Sequence, residues 1–249
     1  MSAPEVFSAT SHLYATPVNE RFYTRIAAAL AEKAAGLITP RRILEVGAGT
    51  GAGTTVLRRY FPAAEILATD RSEEMLAYNR AKGLPGVTYA PAAAEEIGRL
   101  DERFDLIFGN ICYHWFAPGT ARLLAPLLDP GGVAAFSVPV TGPEKETGNL
   151  MLLQICRALG RGARDGRQVP SPGRLRREFA CFDQCSIEEI TLRETHPPAL
   201  WGSLLRARGS WAFLFGSRAA LAEELWRKFT AGHNTVALCW QIALVVAAK

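Results

Sequence analysis

Apolar and polar positions alternate along the chain in two different periods. Residues 17–36 form the first helical pattern, in which Phe22, Ile26 and Leu30 recur every four residues and Gly36 ends the run. Short apolar runs bounded by turn residues follow, separated by further helical patterns. Strands that alternate with helices in this way form a parallel sheet with helices on both faces. The pattern therefore predicts an α/β fold.

Seven strands and seven further helices are predicted from these runs. The predicted strands are residues 42–47, 65–70, 87–91, 104–110, 133–138, 186–194 and 236–247. The predicted helices are residues 54–60, 73–82, 118–128, 150–159, 172–179, 200–206 and 218–229. Residues 130–132 should form a turn and residues 141–149 a loop. We expect the last two strands to form an antiparallel pair at one edge.

The composition is that of a soluble globular protein. Hydrophobic residues make up 49% and charged residues 21% of the 249 residues, enough for a sizeable core. The N-terminus lacks a basic region followed by an apolar run, and the most apolar stretch, residues 236–248, is shorter than the about 20 residues that cross a bilayer. Five cysteines at irregular spacing argue against a disulfide framework and a metal site. We expect a cytoplasmic protein that binds no metal and no membrane.

The net charge of +4 is mild, but part of it is concentrated. Residues 157–177 contain seven arginines and a single aspartate. Such a segment could attract an acidic partner, although a solvated basic surface is the more common explanation of a charge run.

A glycine-rich turn, residues 45–51, follows the first strand and precedes a helix. Glycines allow the main chain to approach a ligand closely, and the helix N-terminus adds free N–H groups. Dinucleotide-binding enzymes use a similar turn. Two acids distinguish this one: Glu45 ends the strand just before the glycines and Asp70 ends the next strand.

Those two acids favour S-adenosylmethionine as the cofactor. A carboxylate at Glu45 would attract an ammonium or sulfonium group and repel a pyrophosphate. Asp70 can accept hydrogen bonds from both ribose hydroxyls. The glycine spacing is also G-x-G-x-G rather than the dinucleotide spacing G-x-G-x-x-G.

Four segments resemble the successive motifs of class I methyltransferases: ILEVGAGTGAGT, ATDRSEEML, FDLIFGNICYHWF and LLDPGGVAAFSV. The resemblance implies a Rossmann-like fold with a seven-stranded, mostly parallel sheet in the order 3-2-1-4-5-7-6, helices on both faces and a helical lid. It further implies a single domain over residues 1–249. In that domain, residues 1–36 would be the lid, residues 40–140 the cofactor-binding core, and residues 141–180 and 196–230 the substrate-capping segments.

Carried over by position, the resemblance implies a set of cofactor-binding residues. These are Glu45, Gly47, Ala48, Gly49, Gly51, Asp70, Arg71, Met75, Ala94, Glu95 and Asn110. Arg71 and Met75 would neighbour the adenine, and Asn110 would lie under the methionine part. Many family members place an Asp after the third strand to bind the adenine amino group. This chain has alanines followed by Glu95, so either Glu95 or a backbone carbonyl makes that contact.

The rest of the chain resembles the malonyl-carrier-protein O-methyltransferases of biotin synthesis, the BioC family. The similar segments are residues 6–9 with Tyr14, residues 171–175 and residues 200–209. Trans-aconitate methyltransferases share much of this plan. The resemblance implies methyl transfer to a carboxylate, which is ionised at neutral pH and needs no general base. The acceptor would be a small acid or an acid bound to an acyl carrier protein.

Arg206 is the first candidate for a residue that clamps the acceptor carboxylate, with Arg208 and Arg174 as alternates. A surface charge is an equally good explanation of each arginine. His114 could act as a base if the acceptor were a hydroxyl, and Tyr14 would belong to the lid. Aromatic residues would roof the site: Phe7, Phe116, Trp201, Trp211 and Phe213. An acidic carrier protein could dock on the basic surface of residues 157–177.

Other functions remain open at this point. The acceptor could instead be a free small acid or a natural-product hydroxyl, and the chain could be an inactive, cofactor-binding partner of another methyltransferase. A nucleic-acid substrate is less favoured, because Asn110-Ile111-Cys112-Tyr113 stands where such enzymes carry Asn/Asp-Pro-Pro-aromatic.

Overall fold

The computed structural model describes residues 11–98, 101–140, 146–160 and 169–249. Its sheet has the order β3-β2-β1-β4-β5-β7-β6, as predicted. The strands are β1 (Arg42–Val46), β2 (Glu65–Asp70), β3 (Val87–Pro91), β4 (Phe104–Asn110), β5 (Leu128–Val140), β6 (Gln184–His196) and β7 (Val236–Ala248). Strands β1 to β5 run parallel, whereas β7 is antiparallel to both β5 and β6.

Ten helices surround this sheet in the described part of the chain. They are α1 (Pro17–Ala35), α2 (Ala52–Tyr60), α3 (Glu73–Arg80), α4 (Ala94–Ile97), α5 (Thr120–Leu124), α6 (Thr147–Ala158), α7 (Pro172–Glu178), α8 (Pro198–Ala207), α9 (Ser210–Phe215) and α10 (Ala219–Phe229). A helical turn also covers residues 11–14. Ser72 caps α3 as predicted, because its side chain accepts a hydrogen bond from the Met75 N–H.

Both faces of the sheet are buried, as expected of a parallel sheet. On β1, the neighbouring residues Ile43 and Leu44 are fully buried on opposite faces, the first beneath α1 and α2 and the second towards α5 and α7. A third apolar cluster lies outside the sheet. It joins α6, α8, α9 and α10 around Trp201 and Trp226. We call these four helices with their cluster the helical cap.

The structure corrects several predicted boundaries. The helix predicted at 118–128 is α5 followed by a short 3-10 turn. β5 already begins at Leu128, so the predicted turn at residues 130–132 lies within its span. The Gly131 N–H donates to the Lys249 carbonyl, and the Lys249 N–H donates to the Gly132 carbonyl. The chain end therefore supplies the hydrogen bonds that extend β5.

Short elements were missed for a different reason. α4 and α9 have only four and six residues, too few to show a helical period. The predicted loop at 141–149 is wrong at its end, because α6 begins at Thr147; residues 141–145 lie outside the described residues.

Two features are absent from the described part of the chain. None of its helices combines the length and the apolarity that crossing a membrane requires. No group of three His, Cys, Asp or Glu side chains is placed to hold a metal ion. All five cysteines are free.

Candidate functional site

A cavity opens at the carboxyl ends of β1, β2 and β4, where parallel sheets of this kind bind ligands. We call it the cofactor cavity. Many of the predicted cofactor residues line it: Gly47, Gly49, Asp70, Arg71, Met75, Ala94, Glu95 and Asn110. Glu45 and Ala48 line a smaller recess that shares Gly47, Gly49 and Asn110 with this cavity. Gly51 lines neither, because it packs against Asn79 at the start of α2.

Two glycines of the turn, Gly47 and Gly49, have different surroundings. Gly47 has φ +70°, and a Cβ added to it would lie 2.6 Å from Cys112 Cβ, so this glycine lets the segment after β4 approach the turn. Gly49 has φ +55°, but an added Cβ would meet no atom within 4 Å. Gly49 thus leaves open space on the side where a ligand would lie against the main chain.

Asp70 ties the glycine turn to the end of β2. One carboxylate oxygen accepts a hydrogen bond from the Gly49 N–H and the other from the Ser72 N–H, both at 2.9 Å. Burial raises the pKa of Asp70, and these backbone donors act against that rise. Each oxygen keeps further accepting capacity, so the carboxylate can also accept hydrogen bonds from ribose hydroxyls.

Glu45 is 1% exposed, and burial raises its pKa to about 8. One oxygen accepts a hydrogen bond from Thr54 Oγ1 at 2.6 Å. The other lies so close to Gly53 that a Cβ there would be 2.3 Å away. The carboxyl group is therefore held in one position beside the recess. A cationic ligand group in that recess would favour its ionised form.

Glu95 closes the opposite end of the cofactor cavity. One of its oxygens accepts from Arg71 Nη2 at 3.0 Å and the other from the Ala117 N–H at 2.9 Å. Met75 is buried on the same wall. The structure thus places Arg71, Met75 and Glu95 together where the adenine contact is predicted, with both oxygens of Glu95 already engaged.

The segment after β4 separates this cavity from a second one. Asn110 Nδ2 donates to the Tyr23 carbonyl at 3.1 Å, and Asn110 Oδ1 accepts from Ser137 Oγ at 2.8 Å. Ile111 has φ +53°, which costs a β-branched residue about 1–3 kcal/mol. Its N–H donates to Ser137 Oγ at 2.9 Å, which helps to hold this conformation. Ile111 and Trp115 line both cavities, so the strained residue is part of the partition between them.

The second cavity, which we call the acceptor cavity, is the larger, at about 260 Å³ against about 120 Å³ for the cofactor cavity. Its walls come from α1, β5, α6, α9 and β7 and are mainly apolar. They include Phe22, Tyr23, His114, Trp115, Leu152, Leu153, Phe213, Leu214, Trp240 and Ile242. Among the described residues that line it, Arg208 alone carries a permanent charge.

Arg208 is buried, with its side chain 3% exposed. Its Nε donates to Asn19 Oδ1 and its Nη1 to Glu194 Oε2, both at 2.9 Å, and the guanidinium lies 3.9 Å from the centre of the Phe22 ring. Its Nη2 has no hydrogen-bond partner within the described ranges, and neither has the buried Nε1 of Trp240. Buried donors require partners. Arg208 and Trp240 both line the acceptor cavity, so the two unsatisfied donors belong to residues of its wall.

The structure does not place Arg206, the first predicted carboxylate clamp, at either cavity. Its side chain is 51% exposed and pairs with Glu223, and it lines neither cavity. Positions two apart on a helix point about 200° apart, so Arg206 and Arg208 at the end of α8 lie on opposite sides. Arg174 lines a small recess beside His114 and Glu178. Arg208, predicted only as an alternate, is the arginine that reaches the acceptor cavity.

Tyr14 and His114 lie at the two cavities. Tyr14 lines the cofactor cavity and stacks on Tyr23 with ring centres 4.8 Å apart, and burial raises the pKa of Tyr14 well above its usual value. Tyr14 is therefore a neutral wall residue. His114 lines the acceptor cavity with its ring edge-on to Phe213 at 5.0 Å.

The predicted aromatic roof is only partly present. Phe213 lines the acceptor cavity and Phe116 the cofactor cavity, whereas Trp201 and Trp211 are buried in the helical cap. Phe7 lies outside the described residues, as do Arg161, Arg164 and Arg167 of the predicted basic surface. Its described arginines, Arg157, Arg174, Arg176 and Arg177, are exposed.

Several residues that line the acceptor cavity or hold Arg208 there were not predicted. Asn19, Tyr23, Glu194 and Trp240 come from α1, β6 and β7, and no motif links them in the sequence. One indication for Asn19 was present in the sequence, where it is a polar residue in the first turn of an otherwise apolar helical stripe.

Residues 43–132 match the family model described as the methyltransferase domain. This part of the chain is similar to a methyltransferase domain. The family match agrees with the observed sheet order, the glycine turn and the two acids. It supports the predicted cofactor, S-adenosylmethionine. The assignment of individual cofactor residues stays a prediction.

Curated relatives are similar to part of the chain. A trans-aconitate 2-methyltransferase from Deinococcus radiodurans is 39% identical over 101 residues, which are 39% of this chain and 38% of the relative. A malonyl-[acyl-carrier protein] O-methyltransferase from Methylococcus capsulatus is 39% identical over 103 residues, 39% of this chain and 37% of the relative. The match thus spans well under half the length of these relatives.

A solved methyltransferase has the same fold. The phosphoethanolamine N-methyltransferase 2 from Haemonchus contortus, solved with S-adenosylhomocysteine, has a TM-score of 0.59 and 16% identity, and covers 100% of this chain and 60% of its own. At this identity the similarity concerns the fold alone.

Proposed function

We propose that the protein is an S-adenosylmethionine-dependent methyltransferase that O-methylates a carboxylate. One observation supports the choice of acceptor. Arg208 and Trp240 line a cavity that adjoins the cofactor cavity across Ile111, and within the described residues Arg208 Nη2 and Trp240 Nε1 are buried donors without a partner. A carboxylate has two oxygens that can accept from two such donors.

The proposed reaction requires no general base from the protein. Bound S-adenosylmethionine supplies an electrophilic methyl group. An acceptor carboxylate, with a pKa of about 4, is ionised at neutral pH, so no side chain has to remove a proton. Arg208 and Trp240 would orient the acceptor, and the apolar walls would exclude water. Glu45 and Asp70 would hold the cofactor at its amino and ribose groups.

The acceptor cavity favours an acid with a single carboxylate and a neutral remainder. Arg208 is the one permanently charged side chain among its described lining residues. A tricarboxylate such as trans-aconitate would place two further charges among apolar walls, which is costly without partners. The carboxyl group of a malonyl thioester has no such second charge beside it. We therefore favour a malonyl thioester over a free tricarboxylate.

Turnover measured with malonyl-coenzyme A and with trans-aconitate tests this proposal. We expect methyl ester from the malonyl thioester and little from trans-aconitate. Arg208→Gln should lower kcat/KM about 100-fold, because one partner of a charged hydrogen-bonded pair is lost. Arg206→Gln is the matched control and should change it less than about twofold. Equal losses of kcat/KM in both variants would show that Arg208 does not bind the acceptor. Faster turnover of trans-aconitate than of malonyl-coenzyme A would contradict the choice of a malonyl thioester.

An acidic acyl carrier protein is the partner we propose for the thioester. The exposed arginines on α7, Arg176 and Arg177, would supply complementary charge. Arg176→Glu with Arg177→Glu should slow turnover of malonyl-carrier protein at least about tenfold and spare malonyl-coenzyme A. The same charge reversal at Arg227 and Lys228, exposed on α10, should spare both. Equal loss on both substrates in the α7 variant would contradict carrier docking there.

A further inference from the structure

Asn19 is a fully buried polar residue that lines neither cavity. Its Oδ1 accepts a hydrogen bond from Arg208 Nε at 2.9 Å. Its Nδ2 donates to the Leu13 carbonyl at 3.3 Å. The two contacts determine the orientation of the amide, because the arginine needs an acceptor and the carbonyl needs a donor.

These contacts connect the two cavities. Leu13 and Tyr14 are neighbours in the helical turn at residues 11–14, and Tyr14 lines the cofactor cavity. On the other side, Arg208 lines the acceptor cavity. Asn19 is thus the single side chain whose hydrogen bonds join Arg208 to the main chain next to Tyr14.

A second contact runs beside this path. Tyr14 stacks on Tyr23, and Tyr23 lines the acceptor cavity. The turn at residues 11–14 is therefore held against the acceptor side by the Asn19 amide and by a ring stack. An acceptor that fixes the Arg208 guanidinium would also fix Asn19 and, through it, the turn that carries Tyr14.

We propose that Asn19 is a positioning residue that couples the two ligand sites, so that acceptor binding at Arg208 raises the affinity for the cofactor, and the reverse. This inference rests on the proposed function for the identity of the acceptor site. The first ligand restricts the motion of the Asn19 contacts that are already present, so the second ligand has less to order. Coupling between binding sites is reciprocal, so each ligand must change the affinity of the other by the same factor.

Asn19→Asp separates coupling from packing. The carboxylate keeps an acceptor for Arg208 Nε but has no donor for the Leu13 carbonyl, so the tie to the turn is lost. Glu194→Gln is the matched control. It changes the other partner of the same guanidinium, and the hydrogen bonds of Asn19 stay as they are.

Calorimetric titration with S-adenosylhomocysteine, with and without saturating malonyl-coenzyme A, measures the coupling. In the wild type the thioester should tighten S-adenosylhomocysteine binding at least about fivefold, the lower end of typical coupling. Asn19→Asp should bring this ratio close to one in a protein that remains folded at the titration temperature, and Glu194→Gln should keep it. A wild-type ratio in folded Asn19→Asp would overturn the inference.

A second variant keeps the inference testable if malonyl-coenzyme A does not bind, which would count against the proposed acceptor. Arg208→Lys keeps the charge but loses the bond from Nε to Asn19. It should weaken binding of S-adenosylhomocysteine alone about threefold or more, although Arg208 does not line the cofactor cavity. Arg206→Lys is its control. Equal affinities in the two variants would overturn the coupling whatever the acceptor is.

Discussion

The two cavities differ in how far apart along the chain their contacting residues lie. At the cofactor cavity, Glu45 contacts Thr54, nine residues away, and the Asp70 carboxylate binds the Gly49 amide, 21 residues away. At the acceptor cavity, Arg208 binds Asn19, 189 residues away. The cofactor cavity is lined by residues 14–116, all in the first half of the chain, whereas long-range contacts build the acceptor site from both ends of the chain.

The cavities also differ in charge. Acids stand at the cofactor cavity and its recess, where Asp70 and the buried Glu45 suit hydroxyl groups and a cationic ligand group. A single cation, Arg208, stands at the acceptor cavity. The partition at Ile111 thus separates a site that favours positive ligand groups from one that favours a negative group. In the proposed function, the methyl donor and the methyl acceptor are thus distinguished by the sign of the charge on the ligand group that each cavity receives.

Removal of the Asp70 carboxylate is the strongest test of the cofactor side. Asp70→Ala loses the acceptor for ribose and the hydrogen bond that positions Gly49. Hydrogen bonds to charged groups contribute about 1.5–3 kcal/mol each, so the affinity for S-adenosylhomocysteine should fall about 100-fold or more. Calorimetry measures this loss, with Asp129→Ala as a control outside both cavities. Unchanged affinity in Asp70→Ala would contradict the cofactor site.

The pH dependence of cofactor binding should reveal Glu45. Its pKa of about 8 means that the carboxyl is mostly protonated at pH 6 and increasingly ionised towards pH 8. A cationic ammonium group of the ligand favours the ionised form, so affinity for S-adenosylhomocysteine should rise about tenfold from pH 6 to pH 8. Glu45→Gln cannot ionise and should bind with nearly the same affinity at both pH values.

The ligand-free protein provides an independent check of the same group. Because the native pKa of Glu45 lies above its unfolded value, the native state binds more protons than the unfolded state between about pH 4.5 and 8. The contribution of Glu45 to the free energy of unfolding is greatest below this window and is lost as the pH rises through it. Chemical denaturation across the window should show a steeper loss in the wild type than in Glu45→Gln. Parallel curves would mean that Glu45 is ionised throughout.

A smaller effect is expected on the acceptor side. Trp240→Phe keeps most of the ring packing against Phe22 and removes the Nε1 donor, which has no partner in the described structure. A neutral hydrogen bond contributes about 1 kcal/mol, so KM for malonyl-coenzyme A should rise about fivefold. The affinity for S-adenosylhomocysteine should stay the same, since Trp240 does not line the cofactor cavity. An equal change in KM for malonyl-coenzyme A and in the affinity for S-adenosylhomocysteine would contradict separate binding of the two ligands in the two cavities.

The predicted fold succeeded where the local pattern is strong. β2, β3 and β4 have the predicted bounds, because each is a short apolar run between turn residues. The helix predicted at 118–128 failed. There the start of β5 competes with the helical pattern, and its hydrogen bonds come from the far end of the chain.

The candidate site divides in the same way. Glu45 and Asp70 could be predicted because each directly follows the apolar part of a strand, and the ends of neighbouring parallel strands meet. The choice between Arg206 and Arg208 could not be made, because both are arginines at the end of one helix. Only the packing of α8 against α1 and β7 shows which side is buried.

The sequence by itself determined the strands of the sheet and the position of the glycine turn, since these depend on local hydrophobic period and on glycines and acids at strand ends. The strand order was implied by the resemblance to class I methyltransferases. The tertiary structure decided the acceptor cavity, the burial of Arg208 and the link through Asn19. Those features depend on contacts between residues far apart in the chain, and a buried donor without a partner is visible only when all its neighbours are in place.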